Sequence, residues 1–536
     1  MGVGLQFNSF TRKVFERNYH IYLVIVIAIA FNVLTIRGGH QWNGDFALYV
    51  AHAKNIAMGL PYAETGHIYN PNAPLISPVT YPPVYPLFLS PVYRIFGLDI
   101  HAMKLAGLVA FAIFLLIFHR YTIRRLDSQV SRFAVVVAVA FSPWVWIFKD
   151  QILPDFLFML FTYAAILFID ARTFSGNTIQ KIISRGVCIG LLAYLSYGTR
   201  SLGFLLIPAL IMSDLTRCRA ISRSTMICIL VFAGLYFAQN AYLHSDQSYL
   251  HSYMDGLTLK QDDHIDSATI DTAAEPEVSG PNLGKIIGDV WSRMFSNVAY
   301  YHNVASSYWG GGINVTVEKV IYLAMGVLAI VGFIGVVLKK PYSGDYFLVV
   351  YVIVLLLVPF RQNRYLLPLV PLYFIYILQG VEHLSARLTL PGRASVTLGG
   401  ILQAGVLLTV MFSYVVKYNS LNFGNLANGV EKKESVEMFN FVRQKTPEDS
   451  LIVFREPRIL SLFSGRRSTI HHWPDNPDDL WEYIVEIGAT HIVLQKRSAG
   501  IAIEDDYMSG WITHYEGRLS TIFENNDFYV YQIDAS

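Results

Sequence analysis

Apolar residues in this chain gather into runs long enough to cross a lipid bilayer, separated by short basic stretches or by segments dense in Pro, Tyr and Asn. Runs of roughly 15 to 24 residues predict spanning helices near 21–37, 102–118, 132–148, 155–169, 224–243, 319–338, 345–360, 364–380 and 394–417. The stretch 186–213 is also apolar, but Gly198-Thr199-Arg200 interrupts it. Its halves of about 12 and 13 residues give ~18–20 Å of helix each, short of a bilayer core of about 30 Å. The expectation is a helical hairpin whose tip sits at membrane depth, which is tolerable only where it lines a polar cavity.

The basic residues fix the count. Arg12, Lys13 and Arg17 precede the first run, and Arg120, Arg124, Arg125 and Arg132 follow the second. Lys181 and Arg185 precede the hairpin, Arg217, Arg219 and Arg223 follow it, and Lys339, Lys340, Arg387 and Arg393 occupy later loops. All fall on one side only if 186–213 crosses twice, and by the positive-inside rule that side is the cytoplasm. The reading is a polytopic α-helical membrane protein of about eleven spans, with the N-terminus in and the C-terminus out. The first run lacks a small-residue cleavage site followed by a soluble domain, so it reads as a retained span.

Composition agrees. Of 536 residues, 53% are hydrophobic and 15% charged, against about 25% charged in an average soluble protein; mean hydropathy is +0.40. A net charge of +2 excludes bulk electrostatic binding of nucleic acid. Cys188, Cys218 and Cys228 lie in or beside apolar segments, so no disulfide framework is legible.

The domains follow: a membrane part, 1–417, and an outside α/β domain, 418–536. Within the membrane part, the first outside loop is 38–101. The second, 244–318, opens with Asp255, Asp262, Asp263, Asp266, Asp271, Glu275 and Glu277. It continues with Ile286, Ile287, Val290, Trp291, Met294, Phe295 and Val298, a helical spacing that suits a helix lying in the membrane interface. The tail predicts a helix at 434–445, a strand at 451–454, a helix at 477–488, a strand at 491–494 and a hairpin around Asn525-Asn526-Asp527.

Ionisable groups near membrane depth are functional hypotheses by default. Asp45 follows the first span at the start of a helix that Gly59 stops, with Tyr49, His52 and Ile56 on one face; it is either a helix cap or a reacting acid. Asp150 and Asp155 flank Pro154 in a very short turn, where Asp155 either stabilises a helix start or faces a shared cavity. Arg200 at the hairpin tip needs an anion or water. Arg361 and Arg364 place cations on the outer side, where a lipid phosphate fits the guanidinium fork and headgroup snorkelling is the bland alternative. Glu64, His67, His302, His471 and His472 lack a zinc-ligand spacing, and Asn314-Val315-Thr316 matches a glycosylation sequon by a pattern common by chance. Walker loops and nucleophile elbows are absent.

Taken in order, these features resemble a known family. The run Asp45-Phe46-Ala47-Leu48-Tyr49-Val50-Ala51 follows the first span, and Tyr81-Pro82-Pro83-Val84-Tyr85-Pro86-Leu87 precedes Phe96-Gly97 and the second. Asp155 opens the fourth span, Gly198-Thr199-Arg200 divides the hairpin, and Arg364-Tyr365-Leu366-Leu367-Pro368-Leu369-Val370-Pro371 opens the tenth. The whole resembles GT-C membrane glycosyltransferases that use polyprenyl-phosphate sugars, in the branch of protein O-mannosyltransferases and aminoarabinose transferases. The resemblance covers roughly residues 15–420, and the tail resembles the C-terminal domain of bacterial members.

The resemblance implies an inverting transferase at a bacterial inner membrane, moving one sugar from a polyprenyl phosphate to a lipid, glycan or protein hydroxyl on the outer side. Asp45 matches the family's general base and Asp155 its second acid. Arg200, Arg361, Arg364 and Tyr81 are the candidate donor-phosphate contacts. Tyr49, His52, Tyr85, Tyr301 and His302 are the candidates for acceptor or sugar. Where aminoarabinose transferases carry Glu-Lys-Pro-Pro, this chain has Thr80-Tyr81-Pro82-Pro83. That removes a phosphate-binding lysine and a metal-ligating glutamate, so no metal ligand is assigned and a divalent cation stays open. The competing readings are a transporter or flippase for lipid-linked sugars, disfavoured by the lack of an internal repeat, and a glycan ligase or polymerase of the same topology.

Overall fold

A computed structural model describes residues 3–74, 76–171, 178–243, 283–310, 314–387, 393–426, 428–496 and 506–534. Its membrane part consists of α1 (Val3–Leu34), α2 (Gly44–Met58), α3 (Val84–Phe96), α4 (Ile100–Arg125), α5 (Gln129–Ala140), α6 (Pro143–Phe148), α7 (Asp155–Ile169), α8 (Ile179–Thr199), α9 (Leu206–Cys218) and α10 (Arg223–Leu243). It continues with α11 (Leu283–Ser307), α12 (Val315–Lys339), α13 (Ser343–Leu357), α14 (Val370–Arg387) and α15 (Arg393–Ser420). Among the described residues, eight helical stretches are long and apolar enough to cross a membrane, and Tyr19–Leu34, Asp155–Ile169 and Ser343–Leu357 are shorter apolar helices. The acidic stretch from Asp255 to Glu277 lies outside the described residues.

One expectation about the spans is corrected. The halves of the hairpin are not short: α8 has 21 residues, and the stretch Ser201–Cys218, a 3-10 turn running into α9, has 18. Polar residues at their feet had hidden the helical continuation. The expected span at 132–148 stands within one apolar stretch, Gln129–Phe148, interrupted at Ser142-Pro143 between α5 and α6, since Pro143 has no N–H for the preceding turn.

The hairpin's arrangement does hold. Both feet lie at one end of the bundle, where Arg185 donates to the Ile169 carbonyl (2.9 Å) and Arg217 pairs with Asp170 (3.0 Å). The tip lies at the other end, where Arg200 pairs with Asp155. The same foot end gathers Arg124, whose carbonyl accepts from Tyr342 (3.2 Å), and Arg125, paired with Asp345 (2.7 Å).

The helices pack by close backbone approach and turn apolar stripes outward. A Cβ on Gly332 of α12 would lie 2.0 Å from the Tyr376 carbonyl of α14, and one on Gly380 would lie 2.1 Å from that of Leu328. Only glycine allows this crossing, in the small-residue manner of membrane helices. On α12, Val320, Leu323, Val327, Ile330, Ile334 and Leu338 are exposed at helical spacing, the pattern of a lipid-facing stripe.

The tail carries α16 (Lys433–Lys445), β1 (Leu451–Val453), α17 (Pro457–Ser464), β2 (Arg467–Thr469), α18 (Pro477–Glu486), β3 (His491–Gln495), α19 (Asp506–His514), β4 (Leu519–Glu524) and β5 (Phe528–Ile533). The predicted helices, strands and hairpin are all present. The sheet order is β2-β1-β3-β5-β4; β1 runs parallel to β2 and β3, while β5 is antiparallel to β3 and β4. Residues alternate faces along each strand. Ile452, Phe454, Val493, Phe528 and Val530 join the core of the membrane part, whereas Val453, Ile492 and Leu494 pack under α18 and α19. Trp42, between α1 and α2, inserts among Phe439, Phe454 and Phe528 at ring distances of 5.8, 6.1 and 5.9 Å. The sheet is thus anchored against the end of the helices that carries α2.

Candidate active site

Helix α2 presents Asp45 without using it as a cap. Asn43 is the N-cap, its side chain accepting from the Asp45 N–H (3.1 Å), and Gly59 ends the helix in the left-handed region at φ 69°. The Asp45 carboxylate is therefore free for other partners. It accepts from the Tyr81 hydroxyl (2.6 Å), pairs with Arg364, and lies 3.6 Å from Arg458. Its side chain is 19% exposed. Burial pushes its proton affinity up, but Arg364, Arg458 and the Tyr81 hydrogen bond together hold it below the usual carboxylate range.

Tyr81 reaches Asp45 because the first loop is wired from behind. The Asn55 side chain holds the carbonyls of Pro61 (2.9 Å) and Glu64 (3.0 Å), which turns the chain back after α2. Tyr62 stacks on His52 at 4.1 Å and donates to the Tyr81 carbonyl (2.8 Å). His52 bonds the Tyr62 carbonyl through Nδ1 (2.8 Å) and accepts the Tyr81 N–H at Nε2 (3.3 Å). These partners require the neutral Nδ1–H tautomer, in keeping with a proton affinity lowered to about 3, chiefly by burial. His52 thus stands behind Tyr81 rather than in the cleft.

Opposite Asp45, Asp155 opens α7 and pairs with Arg200 at the hairpin tip, whose guanidinium also lies 4.5 Å over the Tyr365 ring. A small cleft between the two acid–cation pairs, with a cavity volume of ≈ 20 Å³, is lined by Asp45, Tyr49, Tyr81, Pro82, Pro154, Arg200, Ser201 and Arg364. Among the described residues, the buried Nη1 of Arg364, which lines the cleft, makes no hydrogen bond, so the site keeps an unspent donor; Asp155 does not itself line the cleft. A second, apolar groove with a cavity volume of ≈ 410 Å³ is lined by Trp144, Tyr308, Trp309, Leu366, Leu369, Tyr373 and neighbours. Leu366 and Leu369 belong to the same 3-10 segment, Asn363–Leu369, as Arg364.

The other sequence candidates sit at varying distance from this centre. Tyr85 is buried behind Tyr49, ring against ring at 5.1 Å. Arg361 bonds Asn297 (2.9 Å) and Ser296 (2.7 Å) of α11 and does not line the cleft. Tyr301 is buried and is not among the residues lining the cleft. His302 faces outward and bonds Tyr322 (3.0 Å). Among the described residues, no three His, Cys, Asp or Glu side chains group as a metal site.

Sequence reasoning missed Arg458 and Glu456. They lie in a tail that has no catalytic motif, and nothing in their spacing signals a partner more than 370 positions away.

No family model and no curated protein sequence matches the chain. Solved structures do. ArnT from Cupriavidus metallidurans bound to undecaprenyl phosphate superposes with a TM-score of 0.53 at 12% identity, covering 97% of this chain and 99% of that one. The archaeal oligosaccharyltransferase AglB from Archaeoglobus fulgidus, in complex with an inhibitory peptide and a dolichol-phosphate, gives 0.54 at 12% identity, covering 89% and 69%. The chain has the GT-C fold. The tip of the hairpin α8–α9, the loop 38–101 and the tail meet at one end of the bundle, and Asp45 stands where they meet.

Proposed function

We propose that this protein is an inverting glycosyltransferase that moves a single sugar from a polyprenyl phosphate to an acceptor hydroxyl. The observation that carries the reading is the pairing of Asp45 with Arg364 in a cleft shared with Arg200 and Tyr81. The same 3-10 segment that holds Arg364 borders an apolar groove, the surface a prenyl chain needs. ArnT and AglB, solved with polyprenyl phosphates, support this class of donor.

The mechanism follows from the charges. Asp45 takes the proton of the acceptor hydroxyl as its oxygen attacks the anomeric carbon. The bond to the lipid phosphate breaks in the same in-line displacement, which inverts the centre. Arg200 and Arg364 stabilise the charge that develops on the departing phosphate. At rest these cations are taken up by Asp155 and Asp45. A donor phosphate that draws Arg364 away removes one of the groups depressing the proton affinity of Asp45, so donor binding prepares the base.

Orientation fits the same reading. The basic residues Arg124, Arg125, Arg185 and Arg217 gather at the end remote from Asp45, which the positive-inside rule places in the cytoplasm. The cleft then opens on the outer side of a bacterial plasma membrane, where nucleotide sugars are absent. On α11, Trp291, Phe295 and Val298 are exposed while Arg293 and Asn297 are buried, which suits a helix resting in the interface beside the groove.

The test is transfer by purified protein in lipid nanodiscs, offered a panel of polyprenyl-phosphate monosaccharides, with and without chelator. Release of free polyprenyl phosphate from one donor, abolished by Asp45→Asn, is the expected result. Binding without release from any donor, with membrane extract as acceptor source, would replace the transferase by a carrier of lipid-linked sugars.

A further inference from the structure

The tail's contact with the cleft is more than coverage. Arg458, in the first turn of α17, has a side chain 9% exposed. Its Nη1 donates to the Tyr81 hydroxyl (3.1 Å), and its Nη2 donates to the carbonyls of Ile76 and Pro78, both at 3.0 Å. The same Nη1 lies 3.6 Å from Asp45 Oδ1. Two residues earlier, Glu456 sits against the first residue of α2: a Cβ on Gly44 would lie 3.1 Å from Glu456 Oε2. One tripeptide of the tail, Glu456-Pro457-Arg458, therefore grips the start of α2 and the segment 76–81, the two pieces that carry Asp45 and Tyr81.

From this geometry, and resting on the transferase reading above, we infer that Arg458 is a positioning residue for the reaction, through which the tail sets the orientation and charge state of Asp45. Arg458 does not line the cleft. It stays with Asp45 and Tyr81 when a donor phosphate engages Arg364. One cation then belongs to the donor and the other to the base. A planar guanidinium is required because it must serve two backbone carbonyls and a phenol at once, which a lysine ammonium on a flexible stem does not reproduce. The groups facing Asp45 are Arg364 from the 3-10 segment, Arg458 and Glu456 from the tail, Tyr81 from the first loop and Tyr49 from its own helix, with the Arg200–Asp155 pair across the cleft.

The experiment uses the full chain in nanodiscs with the donor that supports transfer, measuring rate across pH ~5 to 9 and the affinity for polyprenyl phosphate. Wild type, Asp45→Asn, Arg458→Gln, Arg458→Lys and Tyr81→Phe are compared. Removing the Arg458 charge leaves Asp45 easier to protonate, so in Arg458→Gln the acidic limb moves up by about one pH unit and the plateau rate falls about 10-fold. Arg458→Lys keeps the limb near its wild-type position but still loses rate, because charge is retained and the fork is not. Tyr81→Phe, which leaves the Arg458 bonds to the backbone in place, also moves the limb upward. Polyprenyl phosphate affinity stays within about twofold in the Arg458 variants, since that residue is outside the cleft.

If the acidic limb stays put in Arg458→Gln and in Tyr81→Phe while rate falls with thermal stability, Arg458 is a brace alone and the inference is overturned. If Arg458→Gln does not fold, Tyr81→Phe and Arg458→Lys decide by the same limb. Transfer that persists in Asp45→Asn would instead overturn the assignment of the base, leaving a separate and recognisable result.

Discussion

Arg364 donates to the carboxylate of Asp45, a residue 319 positions earlier in the chain. The pair joins the start of α2 to the 3-10 segment that leads into α14, and it occupies a cation that the proposed donor phosphate also needs. Acid and phosphate therefore compete for one guanidinium. In Asp45→Asn the competitor is neutral. That variant is expected to bind polyprenyl phosphate several-fold more tightly than wild type while losing transfer by a factor of about 10² to 10⁴. Isothermal titration with polyprenyl phosphate, beside the transfer assay, checks both; weaker binding would show that Asp45 and phosphate do not share Arg364.

Arg200 and Arg361 separate by function. Arg200 lines the cleft, and Arg361 is bonded to Asn297 and Ser296 on α11. Arg200→Gln is expected to weaken polyprenyl phosphate binding by about tenfold or more, since a buried charge-assisted contact is lost. Arg361→Gln is expected to leave that affinity within about twofold and to lower thermal stability, because α11 loses two of its hydrogen bonds to the segment after α13. Equal loss of affinity in both variants would return Arg361 to the phosphate site.

Glu456 gives the tail a pH signature. Burial lifts its proton affinity to about 7, against the opposing pull of Arg455 and Arg458. An acid whose folded-state value is raised binds a proton in the folded state that the unfolded chain has already released. Stability from this group is therefore lost as pH rises from about 4.5, its ordinary value, through about 7. Glu456→Gln carries no such charge. Its melting temperature should match wild type near pH ~4.5 and exceed it by a few degrees at pH ~8. A gap that does not widen with pH would show that Glu456 is solvated.

Gly332→Ala tests the crossing of α12 and α14. The added Cβ meets the Tyr376 carbonyl at 2.0 Å, and both atoms belong to packed helices that must separate to admit it. Loss of about 3 kcal/mol or more, or failure to fold, is expected, read as melting temperature and monodispersity in detergent. Gly326→Ala on the same helix, where a Cβ meets nothing within 4 Å, should be neutral.

Much of this architecture was legible in the order of the residues. Runs of apolar side chains must be helical in lipid, since no water is there to satisfy the backbone. The placement of basic residues required 186–213 to turn back on itself, and the hairpin's feet and tip do lie at opposite ends. The strands of the tail were readable from short β-branched runs. Asp45, Asp155, Arg200 and Arg364 stood out because ionised groups near lipid are costly unless partnered.

Other features were not local. The full length of α8 and α9 is not legible in hydropathy, because Lys181, Arg185, Asp214 and Arg217 interrupt the apolar pattern while the helices continue through them at the bundle's end. That Asp45 is a partner of cations rather than a cap was decided by Asn43, which takes the N-terminal N–H, and by Arg364, which arrives from the far end of the chain. The presence of Arg458 beside Asp45 depends on how a whole sheet seats on α2 and Trp42. Hydropathy and charge act over neighbours and over the bilayer normal, so a sequence states which segments cross and which residues are expensive. Which acid meets which cation is set by packing between segments hundreds of residues apart, and that only the folded chain decides.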